Sequence, residues 1–125
     1  MANVLIVALG GAVGASLRHA VNLASLRLFG PCFPWGTLTV NVVGCLIMGI
    51  FVEVMVRRLG VSQEVRLLVA TGILGGFTTF SAFALDVAVL WERQAFLTAV
   101  AYVFASVALS IAAVFAGLIL AKALF

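Results

Sequence analysis

Charge is what this sequence has least of. Only 9% of its 125 residues are charged, against 66% that are hydrophobic, whereas a soluble domain carries about 25% charged residues. A chain this short leaves much of its surface exposed and cannot hide so much apolar side chain from water, so a soluble fold is excluded and an integral membrane protein is expected. Histidine is almost missing: His19 stands alone, so neither a metal-binding histidine motif nor a Ser/His/Asp arrangement can be assembled. The two cysteines, Cys32 and Cys45, fall in a predicted loop and a predicted helix interior. Those depths disfavour a disulfide, and no metal-ligand spacing is present, so both are read as free thiols. A basic block is lacking too, because the seven Lys and Arg behind the net charge of +3 are dispersed, which gives no support to nucleic-acid binding. With no phosphate-binding glycine loop either, the chain is not read as an enzyme. The start, Met1-Ala2-Asn3, has no basic region and no clear cleavage site follows it, so the first apolar segment is expected to be a retained helix, not a signal peptide.

Long apolar segments are what the sequence does have. Four are drawn, Val4 to about Asn22, Thr37 to Val56, Val65 to Leu90 and Ala95 to Ala121, each long enough to cross a hydrocarbon core of roughly 30 Å. The connections are short: Gly30-Pro31-Cys32-Phe33-Pro34, Arg57-Arg58-Leu59-Gly60 and Glu92-Arg93-Gln94. Sequential helices are therefore expected to pack as antiparallel neighbours within one four-helix unit spanning residues 1–125. Gly10/Gly14 and Gly11/Ala15 overlay two patterns of small residues four apart, which mark a face where helices approach closely. Four helices are too few to enclose a channel and bury their own polar groups, so an oligomer is expected, with a dimer the simplest closed form. Arg57, Arg58, Arg66 and Lys122 fall on one side of the membrane and Arg27 and Arg93 on the other. So weak a bias allows insertion both ways, and hence an antiparallel, two-fold symmetric homodimer.

The third segment is interrupted. Gly75-Gly76-Phe77-Thr78-Thr79-Phe80-Ser81-Ala82-Phe83 lies inside the apolar run from Val65 to Trp91. Paired glycines lower helix propensity, and Thr and Ser hydroxyls compete for backbone hydrogen bonds. Irregular backbone at that depth is tolerated only against protein or a water-filled cavity, which points to a transport site. Asn41, one turn after Thr37 on the second segment, is either an interhelical hydrogen bond or a pore-lining donor. On the fourth segment Tyr102, Ser106 and Ser110 recur every four residues and set three hydroxyls on one stripe. Phe80 and Phe83 are read either as packing or as rings whose positive edges attract an anion without trapping it. Arg18 and Asp86 sit in or near apolar segments; Arg18 either draws anions toward a vestibule or makes a structural pairing.

Trp35-Gly36-Thr37-Leu38-Thr39-Val40-Asn41-Val42-Val43-Gly44 and Gly72-Ile73-Leu74-Gly75-Gly76-Phe77-Thr78-Thr79-Phe80-Ser81-Ala82-Phe83 closely resemble the Fluc (CrcB) family of fluoride channels. The Gly-Ala-Ser-Leu-Arg run ending at Arg18 and the Tyr102/Ser106/Ser110 stripe are similar as well, and the resemblance covers essentially the whole chain. It implies an all-α membrane protein, with four transmembrane helices and a break in the third, assembled as a dual-topology antiparallel homodimer in the lipid of the bacterial inner membrane. Two narrow pores would export fluoride passively and relieve its toxicity. By the resemblance Asn41 lines each pore, Phe80 and Phe83 flank the ion, and Tyr102, Ser106 and Ser110 form a polar track with Thr37 and Thr79. A structural sodium ion is implied at the dimer centre, held by the main-chain carbonyls of Gly75 and Thr78. Asp86 departs from the pattern, standing where some relatives have glutamate. The chemistry is coherent: fluoride is a small, strongly hydrated acceptor, and Asn, Ser, Thr and Tyr donors replace its water without the grip of a fixed cation. The rival reading, a four-helix dual-topology proton-coupled small multidrug transporter, needs a titratable carboxylate deep in the membrane. The first segment has no acidic residue, and Glu53 and Asp86 lie toward segment ends.

Overall fold

Backbone buried in hydrocarbon must satisfy its own hydrogen bonds, and helices do so within one segment. In a computed structural model describing residues 1–125, four helices are long and apolar enough to cross a membrane: α1 Ala2–Phe29, α2 Trp35–Arg58, α3 Gln63–Glu92 and α4 Phe96–Leu124. Helix α1 runs past the expected end at Asn22. Asn22 and Ser25 lie three residues apart, so one helix face takes both, and both line a cavity together with Leu26 while Leu23 and Leu28 are exposed. The helix stops at Gly30, where φ is +78° and the N–H bonds back to the Leu26 carbonyl at 2.9 Å. That left-handed geometry favours glycine, and Pro31 and Pro34 follow to prevent resumption. The Ser62 hydroxyl accepts from the Val65 N–H at 3.4 Å and caps the start of α3.

Two helices are locally widened. Helix α2 is α-helical to Phe51 and takes π-helical turns over Val52–Arg58. Helix α3 is π-helical over Leu67–Leu74, α-helical over Gly75–Phe77, leaves helical hydrogen bonding at residues 78–80 and resumes at Ser81–Glu92. At the step, Thr78 is extended, with φ −85° and ψ 160°.

The closest crossings join alternate helices instead of sequential ones. A Cβ on Gly10 would meet the Gly72 Cα at 2.9 Å, one on Gly14 would strike the Ile73 carbonyl oxygen, and one on Gly76 would meet the Gly11 oxygen at 2.7 Å. Helices α1 and the first half of α3 therefore touch backbone to backbone, and residue numbers rise together along the contact, so the pair is parallel. Gly49 and Gly117 do the same for α2 and α4: a Cβ on Gly49 would strike the Val114 carbonyl oxygen. The parallel sense of this second pair is fixed at its end, where Arg58 Nη2 donates to the Lys122 carbonyl at 3.2 Å. Short loops bring sequential helices near one another, but small residues decide which pair approaches most closely. The expectation of antiparallel sequential packing thus describes the connectivity, not the tightest contacts.

Between α2, the second half of α3, and α4 lies an apolar cluster of Leu38, Phe83, Leu90, Ala99 and Tyr102. Near the end of α2, Glu53 is 6% exposed and is paired with Arg57 at 3.1 Å and Arg58 at 3.6 Å, the compensation a buried carboxylate requires.

The glycine crossings yield a direct comparison. Gly14→Ala pushes a methyl into the α3 backbone and is expected to destabilise the folded protein by about 1–3 kcal/mol, lowering its melting temperature in detergent. Gly11→Ala points into open space and should not lower stability, alanine being the better helix former by about 1 kcal/mol. Equal melting temperatures for the two variants would contradict the crossing.

Candidate functional site

The non-helical step in α3 is held by side chains from two other helices. Asn41 on α2 clamps Thr79 at both backbone atoms: its Nδ2 donates to the Thr79 carbonyl at 2.9 Å and its Oδ1 accepts the Thr79 N–H at 2.7 Å. On the opposite flank, Arg18 Nε on α1 donates to the Gly76 carbonyl at 3.1 Å. Local hydroxyls do the rest. Thr78 Oγ1 donates to the Leu74 carbonyl at 3.0 Å, and Thr79 Oγ1 accepts the Ala82 N–H at 3.1 Å, capping the resumed helix. These diversions have a cost elsewhere. The N–H groups of Thr79 and Ala82, the usual i+4 partners of the Gly75 and Thr78 carbonyls, are engaged by Asn41 and Thr79, and those two carbonyls accept no hydrogen bond within the chain.

Beside the clamp is a cavity of about 310 Å³ whose ten lining residues are all uncharged. Asn41 and Thr79 stand at its inner side, Ser106 and Ser110 on α4 form another wall, and Phe80 and Phe83 complete it. Phe80 is 76% exposed at the rim, and Phe83 is buried. Their ring centroids are 5.4 Å apart at 64°, an edge-to-face pair. Ser106 is the unusual member: it is 5% exposed, and its hydroxyl oxygen is buried with no hydrogen-bond partner. A buried hydroxyl is ordinarily bonded; this one makes no hydrogen bond of good geometry within the chain, and the polar group beside it is the Tyr102 hydroxyl.

A second cavity, of about 340 Å³, lies beyond Phe83 and is lined by Thr37, Asn22, Asp86 and Arg93 among others. Tyr102 lines neither cavity but contacts residues of both walls. It is fully buried, its hydroxyl donates to Asp86 Oδ2 at 3.0 Å, and the Thr37 and Ser106 hydroxyls lie beside it. Its ring lies tilted against Phe83 at 5.2 Å and edge-to-face with Phe33 at 5.4 Å, so it touches a wall residue of each cavity.

Of the residues singled out in the sequence, Asn41, Thr79, Phe80, Phe83, Ser106 and Ser110 meet at the first cavity, and Thr78, expected only at the central cation site, lines it too. Thr37 lines the second, and Tyr102 contacts residues of both walls. Arg18 lines neither cavity; its Nε donates to the Gly76 carbonyl. Gly75 and Thr78 lie on either side of the Gly76 carbonyl that Arg18 holds, their own carbonyls unpaired. Sequence reasoning missed Cys45, Val107 and Ile111, all in the first cavity wall. Cys45 was reachable, being one turn after Asn41 on the same face. The Tyr102–Asp86 bond had no sequence signal, because its partners lie on different helices.

Comparison with known proteins fits this architecture. Residues 5–118 match the family model described as CrcB-like protein, Camphor Resistance (CrcB). The chain is 58% identical over 124 residues to a protein of Chelativorans sp. (strain BNC1), covering 99% of each. A protein of Mesorhizobium japonicum is 56% identical over 124 residues, again 99% of each, and one of Agrobacterium fabrum is 54% identical over 125 residues, covering all of both. All three relatives are named fluoride-specific ion channel FluC. With four bilayer-length helices and a family match across nearly its whole length, this multi-pass membrane protein belongs to the CrcB family.

Proposed function

We propose that the protein is a fluoride-selective channel, not an enzyme, that lets fluoride leave the cytoplasm passively and so reduces its toxicity. The carrying observation is the uncharged cavity inside the membrane-spanning region, with Asn, Thr and Ser donors, two phenylalanine rings and the unpartnered Ser106 hydroxyl. Fluoride is an acceptor that must trade its water for donors, and neutral donors permit release as well as entry. Asn41 keeps one amide N–H beyond the bond to Thr79, and Ser106 has its hydroxyl to offer. The names of the relatives support the same cargo. A proton-coupled transporter would need a carboxylate in the cavity, where there is none; Glu53 is paired with two arginines and Asp86 accepts from Tyr102.

The working form we propose is an antiparallel dual-topology homodimer in the bacterial inner membrane, with two pores. Its support is that a polar cavity rimmed by an exposed Phe80 cannot face lipid without cost, and a second copy would cover it. A sodium ion at the dimer centre would be held by the Gly75 and Thr78 carbonyls. Both are unpaired hard oxygen donors, the ligand type such a cation takes, and Gly75 is exposed on the protomer. Bound there, the ion would supply a fixed positive charge that satisfies those carbonyls.

Purified protein in liposomes should release fluoride passively, as read by an ion electrode; flux no greater than in protein-free vesicles would overturn the channel reading. Phe80→Ile is expected to abolish flux and leave a folded dimer, since it removes the ring edge but little volume. Unchanged flux would take that ring out of the pathway. Asn41→Asp should cut flux at least about tenfold, because a negative charge about 4 Å from a passing anion costs roughly 4 kcal/mol at an effective dielectric of about 20. Normal flux in that variant would take Asn41 out of the ion path and show that its Nδ2 bond to Thr79 is dispensable.

A further inference from the structure

The second cavity carries a cation that the chain itself leaves unused. Arg18 donates to the Gly76 carbonyl, and Arg57 and Arg58 are paired with Glu53. Arg93, the exposed residue that follows the last turn of α3, lines the second cavity, and its guanidinium enters no ion pair and no hydrogen bond. One other charged group shares that wall: Asp86, whose Oδ2 accepts the Tyr102 hydroxyl. The two charges leave the wall neutral. Without Arg93 it would carry one net negative charge and repel an anion. The wall also offers neutral donors in Asn22, Ser25 and Thr37. The Thr37 hydroxyl lies beside that of Tyr102, as does the hydroxyl of Ser106 from the first cavity, so polar groups run on from one cavity to the other.

We propose that the second cavity is an antechamber for a small hydrated anion, and that Arg93 gathers the ion there by its charge. Such a role rests on the channel reading and names the residue that feeds the path from this end. A fixed cation deep in the path would hold the ion too tightly for conduction. At an exposed mouth the surroundings are close to bulk water, where the attraction is weak enough for release yet still raises the local anion concentration. A unit charge roughly 7 Å away in water raises that concentration about threefold. Salt removes the effect, because charges reach over about 30 Å at 0.01 M ionic strength and over about 3 Å at 1 M. Arg93 also stands at the C-terminal end of α3, where a cation suits the helix dipole. That contribution acts on stability and would not make ion flux depend on salt.

The test uses full-length protein in phosphatidylcholine vesicles, whose headgroups carry no net charge, with a potassium ionophore present so that charge movement does not limit the rate. Fluoride efflux is read by an ion electrode at ionic strengths of about 0.01 M and about 1 M, set with potassium gluconate. At the lower value Arg93→Gln should slow efflux about threefold and Arg93→Glu about ninefold, since reversal removes one charge and adds its opposite. At the higher value both should match the wild type, and Arg93→Lys should match it at both. Equal efflux from wild type and Arg93→Gln at low ionic strength would overturn the proposal. So would a deficit that salt does not relieve, which marks a structural role, or an Arg93→Lys chain as slow as Arg93→Gln. Wild-type vesicles with no efflux at either ionic strength would overturn the channel reading and the antechamber with it.

Discussion

One amide holds the centre of this molecule together. Asn41 meets both the N–H and the carbonyl of Thr79, and without it two backbone groups would lie unpaired at membrane depth. Leaving a buried donor or acceptor unmade costs about 1–3 kcal/mol each, and in lipid no water relieves it. The clamp makes a non-helical step possible where a continuous helix would otherwise be required. The α3 side of the cavity follows from that step, which sets Thr78, Thr79, Phe80 and Phe83 opposite Asn41 of α2 and Ser106 and Ser110 of α4.

The step also needs a rigid support, and the glycine crossings supply one. Gly10 and Gly14 against Gly72 and Gly76 bring the α1 backbone against α3 immediately before residues 78–80, which places Arg18 within reach of the Gly76 carbonyl. Backbone contact of this kind leaves no side chain to hop between rotamers. The π-helical turns over Leu67–Leu74 contain Gly72 and Ile73 of the crossing and end just before the step, so the first half of α3 departs from ideal helix where it is most tightly gripped. Such widened turns often occur at functional sites.

Much of this was legible in the residues. Near-absence of charge and four apolar runs are one-dimensional signals, and they predicted four bilayer-length helices. The cavity residues were legible for a different reason: polar groups in hydrocarbon are costly, so Asn41, Thr79, Ser106 and Ser110 each asked for a purpose. What the residues could not convey was division of labour. Arg18 reads equally as an attractor of anions or as a structural partner until the Gly76 carbonyl is found beside it. Asn41 reads as an interhelical hydrogen bond or as a lining donor, and it is both: its amide clamps Thr79 and it stands in the cavity wall. Loop lengths predicted sequential neighbours, whereas the tightest crossings depend on three-dimensional matching between Gly49 and Gly117 or Gly14 and Ile73, which no local pattern encodes.

The parallel pairing of alternate helices has a consequence for biogenesis. As the chain is made, α1 enters the membrane with its glycine face open and must wait through all of α2 before α3 arrives to cover it. Helix α2 waits in turn for α4. The last helix carries Ser106 and Ser110, and it also completes the Gly49–Gly117 contact. A nascent chain with three helices inserted therefore has the clamp but not the cavity. The polar passage comes into being with the final crossing, so an unfinished chain has no uncharged polar cavity through which ions might leak.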